Sequence, residues 1–256
     1  MMASPRRTSA TPPLRTTVRD GVAWLRLDRP AAGNAVSQAL AQAICTTVER
    51  LELDDSIVLV VIEGAGEQFC AGVDDGGQWE RQCDWIAAIA RLTVPVVAAI
   101  DGDAIAEGFE LALACDIRIA SERARLQLPQ LSRGRLPSHG GTQRLPRIIG
   151  RMRALDLLLT ARALGASEAA EIGLVARVFP AQTFADDVQR FVGELAQKGP
   201  IALRYAKEAV LQSLDLTLDQ GIRLEQDLYV LLQTTADRAE GVRAFLEKRR
   251  PKFNGS

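Results

Sequence analysis

The sequence has few of the features that define several common classes of protein. His139 is its only histidine, which excludes any catalytic or metal site that requires two histidines. No apolar run approaches the ~20 residues that a helix needs to cross a bilayer. The formal net charge of −1 also lacks the basic excess of nucleic-acid and polybasic membrane binders. We therefore expect no nucleic-acid partner, no membrane partner and no metal site.

Cysteine is scarce as well, and its spacing is uninformative. The four cysteines, none in a CxxC pair, are Cys45, Cys70, Cys83 and Cys115. Cys45 and Cys115 lie among aliphatic residues, which is typical of small buried side chains. We therefore do not expect disulfide bonds or a zinc site, and a reducing cytoplasmic location fits best.

The first 19 residues contain no acidic side chain and are rich in Arg, Ser, Thr and Pro. A transit peptide can have this composition. The segment is short and interrupted by proline and has no amphipathic pattern, so a frayed end is the better interpretation. We predict a disordered tail over residues 1–13.

What the chain does contain is enough apolar sequence for a large core, with hydrophobic residues at 47% of its 256 positions. Asp20-Gly21 between two β-prone runs predicts a hairpin. Strand-like and helical patterns then alternate up to about residue 150, and helical patterns dominate afterwards. This order indicates an α/β fold. We predict a core over residues 14–195 and a helical region over residues 196–256.

One stretch combines a strand end, a loop and a helix start: 101-DGDAIAEGFELALACD-116. The first amides of a helix have no partner within the helix and carry the positive end of its dipole, so they can hold a developing oxyanion. Glu107 and Glu110 lie at this helix start. In an ordinary strand-to-helix connection the two glutamates would only complement the helix dipole.

Two further segments have both a functional and a structural interpretation. In 69-FCAGVDD-75, Gly72 allows a turn that presents backbone amides, although a plain surface turn is the better interpretation of this motif taken alone. The segment 129-PQLSRGRLPSHGGTQRLPRIIG-150 carries His139 ahead of two glycines. Taken alone, a lone histidine at such a position is more often structural than catalytic.

Taken together and in order, these segments resemble the enoyl-CoA hydratase/isomerase family, also called crotonases. The resemblance extends from about Leu14 to Phe253. It is carried by 28-DRPAAGNAVS-37, 63-EGAGEQFCAGVDD-75, 94-VPVVAAIDGDAIAEGFELALACDIRIA-120, 136-LPSHGGTQRLPRIIG-150, 154-ALDLLLTARALGASEAAEIGLVARVFP-180 and 245-FLEKRRPKF-253.

The resemblance implies a crotonase-like spiral of ββα repeats followed by a C-terminal helical region that drives trimer formation. We therefore expect a homotrimer or a dimer of trimers. The shared chemistry of the family is stabilisation of a thioester enolate, and coenzyme A enters as part of the substrate rather than as a separate cofactor. By similarity the oxyanion hole would consist of the amides of Val73 and Glu107. Contacts with CoA are expected from Ala31, Ala71, Gly72, Asp74, Asp75 and Lys248.

Four positions decide which reaction the resemblance implies. Glu110 matches one of the two glutamates that flank water in the family's hydratases, whereas Gln130 occupies the position of the other. Glutamine has nearly the shape of glutamate but cannot exchange a proton. Glu107 stands where the family has an oxyanion-binding glycine, so it either opposes enolate formation or acts as a displaced acid–base group. His139 lies in a loop where relatives place extra catalytic groups, and its imidazole is a candidate for the missing proton transfer.

The resulting prediction is an enzyme that reversibly adds water to a 2-enoyl-CoA, with Glu110 as the principal acid and base. Gln130 would position the water, and His139 would assist. One alternative is a single-carboxylate isomerase or another crotonase-type lyase. A second alternative, motivated by Gln130 and Glu107, is a protein that binds acyl-CoA without converting it.

Overall fold

The computed structural model describes residues 12–74 and 83–256. Most of the predicted tail, residues 1–11, and the segment 75–82 lie outside the described residues. The strands in chain order are β1 (Leu14–Arg19), β2 (Val22–Leu27), β3 (Leu59–Gly64), β4 (Gln68–Cys70), β5 (Val96–Ile100), β6 (Asp103–Ile105), β7 (Ile117–Ser121), β8 (Arg125–Gln127), β9 (Leu164–Gly165) and β10 (Arg177–Phe179).

Helices surround the strands and make up the C-terminal part of the chain. They are α1 (Gln38–Glu52), α2 (Trp85–Arg91), α3 (Glu107–Ala114), α4 (Gly141–Ile149), α5 (Arg151–Thr160), α6 (Ala166–Glu171), α7 (Phe184–Ala196), α8 (Pro200–Gln212), α9 (Leu218–Gln233) and α10 (Ala236–Leu246). The helical patterns that dominate after about residue 150 correspond to α5 through α10.

The strands form two sheets that the chain visits in turn. The larger sheet has the order β1-β2-β3-β5-β7-β10 and the smaller one β4-β6-β8-β9. Each of the pairs β3/β4, β5/β6 and β7/β8 places its first strand in the larger sheet and its second in the smaller one. Because the stacked strands of successive pairs are parallel, the chain winds as a spiral. The predicted α/β spiral is confirmed.

Strand β3 shows why its sequence is an unbroken apolar run. Val60 and Ile62 belong to the main core cluster with α1 and α3, whereas Leu59 and Val61 pack into a second cluster beneath α7. Successive side chains of a strand point to opposite faces of the sheet, so a strand covered on both sides needs apolar residues at every position.

Local signals in the sequence account for several element boundaries. Asp20 and Gly21 adopt positive φ angles of 51° and 75°, and the antiparallel hairpin of β1 and β2 turns at these residues as predicted. The Ser37 side chain accepts a hydrogen bond from the Leu40 amide at 3.3 Å and caps α1. Pro200 begins α8, where its missing amide hydrogen costs nothing.

Cys45 and Cys83 form a disulfide bond, so the expectation of no disulfide is wrong. Cys45 is buried on α1, as its aliphatic neighbours predict, whereas Cys83 lies ahead of α2 and is 38 residues away in sequence. The two meet only because α1 and α2 pack together, which no local spacing shows. Disulfides persist mainly in oxidising compartments, so the cytoplasmic location stays a prediction.

Candidate active site

The site begins at the turn between β6 and α3. Ala106, the N-cap of α3, has φ 53° and ψ −120°, a conformation that side-chain-bearing residues rarely adopt. Its amide donates to the Gln127 carbonyl at 2.9 Å, which ties the turn to β8. Because the chain reverses so sharply here, the amide of Glu107 starts the helix and has no acceptor within it.

The turn after β4 lies directly against this helix start. Gly72 has φ 102°, and a Cβ atom added to it would lie 3.2 Å from the Ala106 Cβ. Val73, the next residue, forms an isolated parallel bridge with Val36, in which the Val36 amide donates to the Gly72 carbonyl at 2.8 Å. Among the described residues, neither the Val73 nor the Glu107 amide has a hydrogen-bond acceptor. Two unpaired amides beside each other are what an oxyanion requires.

Glu110 lies one helical turn beyond Glu107 and is completely buried. Its Oε1 accepts hydrogen bonds from the amides of His139 at 2.7 Å and Gly141 at 2.9 Å. Its Oε2 accepts from Nε2 of Gln130 at 3.3 Å. All three partners are donors, which suits an ionised carboxylate because it only accepts hydrogen bonds. Glu110 is therefore arranged to receive a proton.

Gln130 begins a short 3₁₀ helix, Gln130–Arg133, directly after Pro129. The side chain is buried, and its Oε1 has no hydrogen-bond partner among the described residues. A buried amide oxygen without a partner is costly, so it favours a donor such as water at this point. Gln130 thus connects Glu110 with a position that can hold a hydroxyl group or a water.

Glu107 is also buried, at 5% exposure, although it is the first residue of a helix. Its Oε1 lies 3.9 Å from Nη2 of Arg135, and its Oε2 lies 2.9 Å from the position of a Cβ on Gly72. The carboxylate therefore points into the molecule and not into solvent. It lines a cavity of about 60 Å³ with Ala71, Val73, Ala106, Pro129, Gln130, Arg133 and Arg135.

His139 contributes its backbone and its ring in different places. Its amide holds Glu110, whereas its buried imidazole packs against Trp85, with ring centroids 5.8 Å apart. Nδ1 lies 3.4 Å from Oδ1 of Asp84, which also caps α2. No described contact joins the ring to the carboxylate of Glu110 or to Gln130. The ring is placed to hold the loop that carries the His139 and Gly141 amides.

Most residues predicted to contact CoA gather at the loop before α1. The Ala71 amide donates to the Gly33 carbonyl at 2.9 Å, which joins this loop and exposed Ala31 to the Gly72 turn. Asp74 forms an ion pair with Arg29 at 2.6 Å. Asp75 lies outside the described residues. Lys248 is exposed just after α10 and has φ 54°, and no described contact connects it to the other site residues.

Cys70, the last residue of β4, is close to these groups but is not a nucleophile. Burial is the largest cause that raises the pKa of its thiol to about 12. The thiol stays protonated at neutral pH. Within the residues that the structure describes, no group of three His, Cys, Asp or Glu side chains is placed to hold a metal ion, and no helix is long and apolar enough to span a membrane.

Sequence reasoning missed three contributors to the site. Arg135 was not singled out, yet it carries the cation nearest to Glu107. Gly141 was only part of a motif, although a Cβ there would lie 3.1 Å from Oε1 of Glu110. Asp84 had no local signal at all, because its proximity to His139 arises from the packing of distant segments.

The fold and the site together define a class of protein that stabilises an oxyanion beside a buried carboxylate. The model of the enoyl-CoA hydratase/isomerase family matches residues 17–256, so the chain belongs to this family. It is an enzyme of the enoyl-CoA hydratase/isomerase type, as the motifs predict.

Individual relatives agree with the family match. The chain is 37% identical over 244 residues to the 2,3-dehydroadipyl-CoA hydratase of Escherichia coli (strain K12), covering 91% of this chain and 95% of the relative. It is 37% identical over 255 residues to the enoyl-CoA isomerase/hydratase fer4 of Mycosarcoma maydis, covering 92% and 93%. The crystal structure of enoyl-CoA hydratase from Bacillus anthracis superposes with a TM-score of 0.91 at 36% identity, covering 95% of this chain and all of that one.

Proposed function

We propose that this enzyme reversibly adds water to the double bond of a 2-enoyl-CoA thioester. The observation that carries the proposal is the Glu110 carboxylate, which three donors fix beside two amides that have no other acceptor among the described residues. Hydration requires a base for water and a site for the enolate oxygen, and this arrangement supplies both.

The substrate is expected to enter with its thioester oxygen between the amides of Val73 and Glu107. These two donors stabilise the negative charge that develops on the oxygen as water attacks C3, and losing one such donor typically costs ~10²–10³ in rate. Water would bind between Glu110 and the free Oε1 of Gln130. Glu110 then accepts a proton from the water as its oxygen bonds to C3.

The CoA portion is proposed to run along the joined loops that carry Ala31, Ala71, Gly72 and Asp74. Two backbone hydrogen bonds join these loops, from the Ala71 amide to the Gly33 carbonyl at 2.9 Å and from the Asp74 amide to the Val36 carbonyl at 3.0 Å. Lys248 has no described contact with these loops. It is proposed to bind CoA phosphates, and in a trimer it would do so for a neighbouring subunit. Coenzyme A is the only cofactor that this chemistry needs, and it arrives with the substrate.

A second reaction, migration of a double bond, is favoured by one observation. Gln130 cannot exchange protons, so Glu110 is the one carboxylate left of the family's pair, and it could remove a proton at one carbon and return it at another. The Mycosarcoma maydis relative is named for both reactions. An isomerase would convert a 3-enoyl-CoA without adding water, so the two reactions have different products.

The experiment that tests the proposal is incubation of purified protein with crotonyl-CoA in heavy water, followed by mass spectrometry. We expect a hydrated product with deuterium at C2, and loss of at least ~10²-fold in rate for Glu110→Gln. The control is Glu49→Gln, which changes an exposed carboxylate on α1. A Glu110→Gln variant that hydrates at the original rate would sink the proposal. Turnover of a 3-enoyl-CoA but not of crotonyl-CoA would select the isomerase.

We also propose that the enzyme is a trimer or a dimer of trimers. The support is the exposed apolar surface of the C-terminal helices, which includes Leu218, Tyr229 and Val230 on α9. Monomeric proteins rarely leave large apolar patches in water, so we expect a second copy to cover these residues.

A further inference from the structure

The proposed hydration needs a second proton transfer that Glu110 and Gln130 do not supply. Water gives one proton to Glu110, and C2 of the substrate must receive another. Glu110 accepts hydrogen bonds from three donors in the structure, and Gln130 has no proton to exchange. A separate acid near C2 would complete the reaction. Because such an acid is needed only if water is added, its assignment rests on the proposed hydration.

Glu107 is the carboxyl group that the structure places in the right position. C2 of a thioester lies two bonds from the carbonyl oxygen, and that oxygen is expected at the Glu107 amide. With the thioester oxygen bound there, the side chain of the same residue would face C2 from the cavity wall. It lines the same cavity as Val73 and Gln130 and lies one helical turn from Glu110.

A purely structural purpose for Glu107 does not fit its burial. A glutamate that only complements the dipole of α3 could do so from solvent, where its charge would remain hydrated. Instead the carboxyl group is buried, with its Oε2 facing Gly72 and its Oε1 3.9 Å from Arg135. Burying an acid beside the oxyanion amides is costly, which indicates a function for it there.

We propose that Glu107 is the acid that protonates C2, and that it takes the place of the carboxyl group missing at Gln130. In the forward direction the oxygen of water bonds to C3, and one proton of that water passes to Glu110. The carboxylic acid of Glu107 gives its proton to C2 and becomes a carboxylate. Glu110 then loses its proton to solvent and Glu107 regains one, so the net change is the addition of one water.

The proposed step requires Glu107 to carry its proton when water attacks the substrate. In that form it does not oppose the negative charge that develops on the thioester oxygen. After the proton has moved to C2, the carboxylate lies 3.9 Å from Nη2 of Arg135, which stabilises it. An attraction between opposite charges about 4 Å apart is substantial in a partly buried site.

The test compares Glu107→Gln, Gln130→Glu and the double variant that carries both changes. We expect Glu107→Gln to lower kcat about 10²-fold with little change in KM, because the amide that binds the thioester oxygen is retained. The double variant, which moves the carboxyl group to position 130, should recover at least about tenfold of that loss. If Glu107 had only a structural effect, a carboxyl group at position 130 would not restore kcat.

The controls separate this inference from the proposed hydration and from misfolding. Wild type and Glu110→Gln establish first whether crotonyl-CoA is hydrated. If wild type fails, the proposed function and this inference both fall. Binding of the saturated probe butyryl-CoA by Glu107→Gln, with an unchanged Kd, shows that the site is intact. If hydration is present and Glu107→Gln or Glu107→Gly is as fast as wild type or faster, Glu107 is not the acid and only this inference is overturned.

Discussion

Helices α3 and α9 differ sharply in how much of their side chains they bury. All eight residues of α3 are buried, including the two glutamates, whereas Leu228 is the only buried residue among the sixteen of α9. The sequence of α9 nevertheless contains five leucines, one isoleucine, one valine and one tyrosine. The side chains of α3 are covered by other parts of the same chain. Helix α9 leaves an apolar face that one chain does not cover.

The difference shows where each helix obtains its stability. Helix α3 depends on close contact with β4 and with the loop before α4, which leaves no space for extra atoms at its glycine. A close-packed interior penalises any change in volume. In α9 the glycine faces open space. Its stability is expected to come from its cap, from α8 and from a partner subunit.

The largest expected effect comes from adding one methyl group to the glycine of each helix. A Cβ on Gly108 would lie 2.1 Å from the Cys70 carbonyl oxygen, so Gly108→Ala should destabilise the protein by about 3 kcal/mol. Nothing lies within 4 Å of a Cβ on Gly221, so Gly221→Ala should stabilise the helix by about 0.5–1 kcal/mol. Thermal unfolding at one fixed protein concentration measures both. Equal effects in the two helices would contradict the comparison.

A charge on the open face of α9 tests whether another copy covers that face. Val230 is 62% exposed in the single chain. If it is buried in the trimer, Val230→Lys places a charge in an apolar interface and should weaken association at least roughly tenfold.

Sedimentation velocity over a range of protein concentrations measures this association. Leu53→Lys is the control, because Leu53 is an exposed residue at the end of α1, 88% accessible, and lies in the spiral core and not in the C-terminal helical region. An unchanged oligomer in Val230→Lys would place the interface elsewhere.

The same contrast explains what the sequence could predict. The sequence predicts the apolar strands β3 and β5 and the helices, because periodicity and caps are local properties. Strands β4, β6, β9 and β10 were missed because each has only two or three residues, and their pairing comes from the stacking of spiral turns. The Cys45–Cys83 bond was missed for a related reason, since it joins segments that meet only through packing.

At the site, the motifs identified the residues but not their orientation. Family resemblance predicted Glu110, Gln130 and the two oxyanion amides. It left open whether Glu107 opposes enolate formation or acts as a displaced acid–base group, and only the structure shows that its side chain is buried beside Gly72. Nor could the sequence show that His139 offers its amide to Glu110 and its ring to Asp84.

Small expected effects of opposite sign lie at the N-terminal ends of the two helices. Ala106 holds α3 at a positive φ that glycine tolerates better, so Ala106→Gly should relieve strain and stabilise the protein by about 1 kcal/mol. Thr217 caps α9 through a capping box with Gln220, so Thr217→Ala should destabilise it by about 1 kcal/mol.

Urea unfolding of the two variants beside wild type measures both changes, and hydration of crotonyl-CoA shows what the strain at Ala106 contributes. If a rigid turn is needed to hold the Glu107 amide on the thioester oxygen, Ala106→Gly should be more stable than wild type but should hydrate crotonyl-CoA more slowly. The decrease should appear in kcat. Such a result would mean that strain is retained at α3 because it serves the site, whereas α9 carries an ordinary favourable cap. If Ala106→Gly were less stable than wild type, the positive φ would not be a source of strain. The contrast between the two helices would then rest on packing alone.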